Sequence, residues 1–164
     1  MSFRRAFGFA VLLWQGLLVS APAQVVINEL CADNTSLVSA AGTLPDYVEL
    51  YNKGTSSVSL AGWTLTDDVT KPAKWAFPGG TTIGGKSHLV VWLDSAALYP
   101  GLIVTSFSLR ASGEEVALFQ ATNQIDYIRF GPQIKNRTIC RYPSGGTNWT
   151  LGLQTPGATN ISVA

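Results

Sequence analysis

The chain has 164 residues, carries 11 Lys and Arg against 10 Asp and Glu, and is 46% apolar but only 13% charged. This length predicts one domain, and the near-neutral balance leaves no electrostatic footprint for nucleic acid or an anionic membrane. Two cysteines and one histidine are too few for a zinc cluster of ordinary ligand count.

Residues 1–23 have the order of an export leader. Arg4 and Arg5 open it, Phe7 to Val19 is apolar apart from Gln15, and Ala21-Pro22-Ala23 offers small residues for cleavage before Gln24. The apolar run is too short to anchor in a bilayer, so no transmembrane segment is expected after cleavage. Losing Arg4 and Arg5 takes the formal charge from +1 to −1. The expected organisation is a leader at 1–23, a domain at 24–158 and a tail at 159–164, in a protein that ends outside the cell or in its envelope.

From Val25 onward the pattern is of strands. Val25 to Cys31 (VVINELC) is the first, and a polar loop runs from Ala32 to Leu44. Tyr47 to Asn52 (YVELYN) alternates, with Val48 and Leu50 on one face and Glu49 on the other. Asn52-Lys53-Gly54 is a turn, and a short strand follows at Ser57 to Leu60. Trp63 to Thr66 and Lys74 to Phe77 then flank a polar turn carrying Asp67, Asp68 and Pro72, and both aim large aromatics at a shared core. Pro78-Gly79-Gly80 ends that pair. A brief strand at Thr82-Ile83 precedes Ser87 to Leu93, the most apolar run. Helical character is confined to one turn around Ser95 to Leu98. Glu115 to Gln120 and Gln124 to Phe130 form a hairpin about Ala121-Thr122-Asn123, and Thr138 to Tyr142 and Trp149 to Leu151 complete the set. About nine short strands without a crossover helix predict an antiparallel sandwich.

An oxidising compartment turns Cys31 and Cys140 into an expected disulfide, weighed against two separate buried thiols. Closing a loop of about 110 residues would contribute up to ~4.7 kcal/mol. Such a bridge would also bring Arg141 beside Glu29, a carboxylate within an apolar strand that needs a partner if buried.

The stretches INEL at Ile27 to Leu30, PDYVELYN at Pro45 to Asn52 and LAGWTLTDD at Leu60 to Asp68 resemble the lamin tail domain family. The similarity runs on through KWAFPGGTTIGGKSHLVVW at Lys74 to Trp92, SFSLRASGEEVALF at Ser106 to Phe119, IDYIRFG at Ile125 to Gly131 and RYPSGGTNW at Arg141 to Trp149. The resemblance implies an all-β, immunoglobulin-like sandwich serving as a scaffold, with Trp63, Trp75 and Phe77 in its core. It supplies no activity of its own.

Candidate chemistry is sparse. His88 is the only histidine and opens an apolar strand, with no nucleophile in its sequence context. Ser112-Gly113-Glu114-Glu115 has the form of a tight turn with solvated carboxylates. Asp67 and Asp68 lie on one turn, while Glu29, Asp46 and Glu49 cluster near the first two strands. Oxygen-rich groups of this kind can bind calcium, although no spacing matches a calcium loop and no cofactor is expected. Trp92, Trp149, Tyr47 and Tyr51 are the candidate ligand-facing aromatics. Four Asn-x-Ser/Thr sequons stand at Asn34, Asn136, Asn148 and Asn160. The expected function is a secreted, non-catalytic binding or structural module with an extracellular protein or glycan partner. The alternative is a carbohydrate-binding accessory module working with separate hydrolases, ahead of a hydrolase in its own right.

Overall fold

The computed structural model describes residues 24–95 and 100–163. The expected leader, and the expected helical turn from residue 96 onward, lie outside the described residues. The strands are β1 (Val25–Cys31), β2 (Asp46–Asn52), β3 (Val58–Ser59), β4 (Trp63–Thr66), β5 (Trp75–Ala76) and β6 (Thr82–Ile83). They continue with β7 (His88–Leu93), β8 (Val104–Thr105), β9 (Glu114–Gln120), β10 (Asn123–Phe130), β11 (Thr138–Arg141) and β12 (Trp149–Gly152). Four of them, β3, β5, β6 and β8, have two residues each, and β8 has no counterpart among the expected strands.

A six-stranded sheet in the order β12-β11-β1-β2-β7-β8 packs on a four-stranded sheet, β10-β9-β4-β5, while β3 and β6 form a separate ribbon. This is the sandwich the resemblance implies. Every pairing is antiparallel except the short parallel contact of β7 with β8. Among the described residues no helix is long and apolar enough to cross a membrane.

The core lies between the two large sheets. On the six-stranded side Ile27 stands opposite Leu50 and Leu30 opposite Val48. Trp63, Leu65, Val116 and Leu118 come from the other sheet. A bulge between Ile27 and Glu29 makes this register possible. Strict alternation along VVINELC would put Glu29 on the same face as Val25 and Ile27. One extra residue, Asn28, instead turns Leu30 into the core and Glu29 to the outer face. Trp63 and Phe77 are buried as expected. Trp75 is only partly buried: it packs against the core from the short edge strand β5, with its ring edge-on to Phe77 at 4.8 Å between centroids.

Two sequence expectations fail here for reasons of register. Cys31 and Cys140 are free, and both are fully buried. Cys140 lies opposite Glu29 rather than Cys31. A same-face residue one diagonal step away is roughly 7–8 Å distant, outside the reach of a disulfide. Arg141 follows Cys140 and therefore emerges on the face opposite to Glu29. Its partner is Asp126 of β10, held at 2.9 and 3.0 Å, while Nε donates to the Ile27 carbonyl at 2.7 Å. Asp126 also accepts the Ile27 amide at 2.8 Å, and the guanidinium covers Trp149 at 4.5 Å. This buried ion pair joins the two sheets, because Arg141 and Ile27 belong to one and Asp126 to the other.

Free thiols give a direct test. Alkylating the denatured, never-reduced protein is expected to add two labels, and a reductant is expected to leave the denaturation midpoint unchanged. No labelling, with a midpoint that falls on reduction, would restore the bridge.

Candidate functional site

Part of the outer face of the six-stranded sheet is covered by the segment that follows β12. Across that face Cys140, Glu29, Glu49 and Val90 stand in one row on β11, β1, β2 and β7. Glu29 and Glu49 are both fully buried. A buried carboxylate needs donors around it, and most of these come from the covering segment. Thr155 donates its amide to Glu29 Oε1 at 2.9 Å and its hydroxyl to Oε2 at 2.5 Å, and the Tyr47 hydroxyl also donates to Oε1. Glu49 accepts the Gly157 amide at 2.5 Å on Oε2 and the Asn28 side chain at 2.9 Å on Oε1. Asn160, buried in the expected tail, donates its side-chain amide to the carbonyls of Asn28 and Arg141. Ser162 then bridges to Gly152 on the edge of the sheet.

Electrostatics in this layer follow from burial. Desolvation pushes the Glu49 carboxyl up to about 7, with Glu29 adding repulsion while Asn28 and Gly157 pull the other way. Glu29 is raised by burial as well, against the opposing bonds from Thr155 and Tyr47. Burial lowers His88, whose Nε2 is the buried side-chain nitrogen left without a hydrogen bond among the described residues. It stands 3.9 Å from Glu49 Oε1. The covering segment leaves both carboxylates without solvent contact, while the His88 side chain stays partly exposed.

The four candidate ligand-facing aromatics do not form a sugar platform. Tyr47 and Trp92 are buried, packed edge to face at 5.7 Å in a second apolar cluster with Cys31 and Val104. Tyr51 is half-buried against His88 at 4.7 Å. Its flank is closed by Gly145, where a Cβ would come 2.7 Å from the ring. Trp149 lies beneath Arg141. The sequons also differ in access. Asn34 and Asn160 are buried with their amides engaged, the Asn136 carbonyl accepts from Thr35, and Asn148 is exposed.

What the surface does present is a charged cleft of about 510 Å³ at the rim of the four-stranded sheet. It joins two turns that the sequence left separate, Asp67–Lys74 between β4 and β5 and Ser112–Glu115 at the start of β9. Gly113 makes the second turn possible: its φ is +105°, and a Cβ there would come 2.6 Å from the Phe130 carbonyl. Each carboxylate in the cleft is already engaged. Asp67 holds Lys74 at 2.5 Å, and Asp68 accepts from Thr70 at 2.6 Å and pairs with Lys71 at 3.0 Å. The Thr70 hydroxyl, ahead of Lys71, holds Asp68 down to about 2. Glu115 takes the Val69 amide at 2.9 Å and the Tyr127 hydroxyl at 3.0 Å, and Glu114 takes the Arg110 amide. By contrast, the exposed guanidinium groups of Arg110 and Arg129 make no hydrogen bond or ion pair among the described residues. Arg129 even faces Glu115 across the strand pair without binding it. Among the described residues no group of three or more His, Cys, Asp or Glu side chains is arranged to hold a metal ion.

A family model described as Lamin Tail Domain matches residues 19–132 of the chain. Strands β11 and β12 and the covering segment lie beyond that match. Comparison with curated proteins finds no match.

The buried acids set a pH dependence. A carboxyl raised in the folded state binds its proton more tightly there than in the unfolded chain. Its contribution is complete below the ordinary value of 4.5 and is lost as pH rises through about 7 for Glu49. Glu29 acts in the same direction, as does Asp46, which burial raises to about 6. His88, lowered from 6.5, opposes them as pH falls. The three acids outweigh the one base, so the denaturation midpoint is expected to rise as pH is lowered from about 8 to about 5.5. Glu49→Gln should flatten that slope, whatever its absolute stability. A midpoint that falls over this range, or a slope unchanged in the variant, would contradict the assignment.

Proposed function

The chain belongs to the lamin tail domain family, and from that premise we propose that it is an exported, non-catalytic binding module that engages a protein partner outside the cell. The family supports a binding or structural role for an immunoglobulin-like domain. Export rests on the leader-like order of residues 1–23. The observation that carries the rest is the charged cleft, where two guanidinium groups make no hydrogen bond or ion pair among the described residues while each carboxylate has a partner. Of the four candidate rings for a carbohydrate-binding module, Tyr47 and Trp92 are buried, Trp149 lies beneath Arg141 and Tyr51 is half-buried against His88. Glu29 and Glu49 have no solvent contact.

Binding of this kind is rim electrostatics on a rigid support. It predicts moderate affinity, fast association and sensitivity to salt rather than a large apolar footprint. The immobilised mature domain is expected to retain an envelope protein in a form that Arg110→Gln plus Arg129→Gln releases, and to give no signal on a glycan array. Glycan binding that survives this double substitution, or protein capture indifferent to it, would overturn the reading.

A further inference from the structure

Resting on that reading of the cleft, we infer that its occupant is an acidic protein segment, with side-chain or terminal carboxylates held between Arg110 and Arg129. The inference follows from which donors and acceptors are already engaged. Both lysines lining the cleft are paired, Lys71 with Asp68 and Lys74 with Asp67. Lys74 is further fixed by lying 5.1 Å over the Phe107 ring. Both Glu115 oxygens accept hydrogen bonds. Of the side chains lining the cleft, the two that make neither a hydrogen bond nor an ion pair among the described residues are therefore both cationic, the forked guanidinium groups of Arg110 and Arg129. A guanidinium matches a carboxylate in two parallel hydrogen bonds, a geometry that an ammonium cannot reproduce.

Asp67, Asp68, Glu114 and Glu115 line the same walls, so the carboxylates of the segment must reach the two arginines without meeting those four positions. The support is rigid at both ends. Arg110 is fixed by its amide bond to Glu114 and by accepting the Gly113 amide at 3.0 Å, and Arg129 by its place in the β9–β10 ladder.

The test titrates the mature domain with hexaglutamate, hexalysine and a neutral Gly-Ser hexapeptide, following backbone amide shifts. Hexaglutamate is expected to move Gly113 and Arg129 and to weaken about tenfold in the Arg110→Gln/Arg129→Gln protein. The two substituted sites are exposed, so the variant should keep the wild-type denaturation midpoint. Raising the salt should weaken binding in the same direction. Hexaglutamate binding that survives the double substitution, or preferential binding of hexalysine or the neutral peptide at the cleft, overturns the acidic assignment and leaves the cleft as the docking site. If no peptide perturbs the cleft, the inference fails; protein capture indifferent to the same substitutions would then overturn the cleft reading as well.

Discussion

Two carboxylates buried side by side, Glu29 and Glu49, impose the constraint on which the rest of the fold depends. They stand directly opposite on adjacent strands, both without solvent contact. Neither could remain there unless donors replaced the lost water. Tyr47 and Asn28 supply part of that replacement from the sheet itself. Thr155 and Gly157 supply the remainder from a segment with no regular structure. The segment can therefore leave only by stranding two acids. By staying, it covers Glu29 and Glu49 on the outer face of the six-stranded sheet. The β1 bulge is the local device behind this arrangement, because it places Glu29 on the outer face while keeping Leu30 in the core.

Much of this architecture was legible in the sequence. Turn residues and two-residue alternation placed the strands, and the LAGW and WAFP runs identified Trp63 and Phe77 as core. The misplaced residues share one cause. YVELYN and HLVVW alternate as strands with one solvated face, which made Tyr47, Glu49 and Trp92 look outward-facing and available. Glu49 is buried by residues 154–160, whose pattern belongs to neither strand nor helix and whose role is set by contacts more than a hundred residues away in sequence. Tyr47 and Trp92 are buried in the cluster with Cys31 and Val104. The bulge is equally silent: no composition signal in VVINELC marks Asn28 as the extra residue. That one shift removes the Cys31–Cys140 bridge and sends Arg141 to Asp126 rather than Glu29.

The surface also differs from the sequence reading in which residues it leaves open. Aromatic rings were the natural candidates for ligand contact, and all four are packed or covered. The Ser-Gly-Glu-Glu turn, which had the form of an ordinary solvated turn, meets the Asp67–Lys74 turn and builds the charged cleft. Neither turn suggests the other in sequence. The sandwich brings them together because β9 pairs with β4 through the Trp63–Gln120 and Thr66–Ala117 register. A sandwich with open donors at one rim fits the binding or structural role that the family suggests.

The account turns on whether the segment after β12 is part of the core or a loose covering. Amide hydrogen exchange at Thr155 and Gly157 tests this most directly, since both amides donate to the buried acids. The account predicts protection comparable to that of the central β1 and β2 amides, with exchange only through opening of the whole domain. Exchange at the rate of an unprotected loop, while β1 and β2 stay protected, would contradict it.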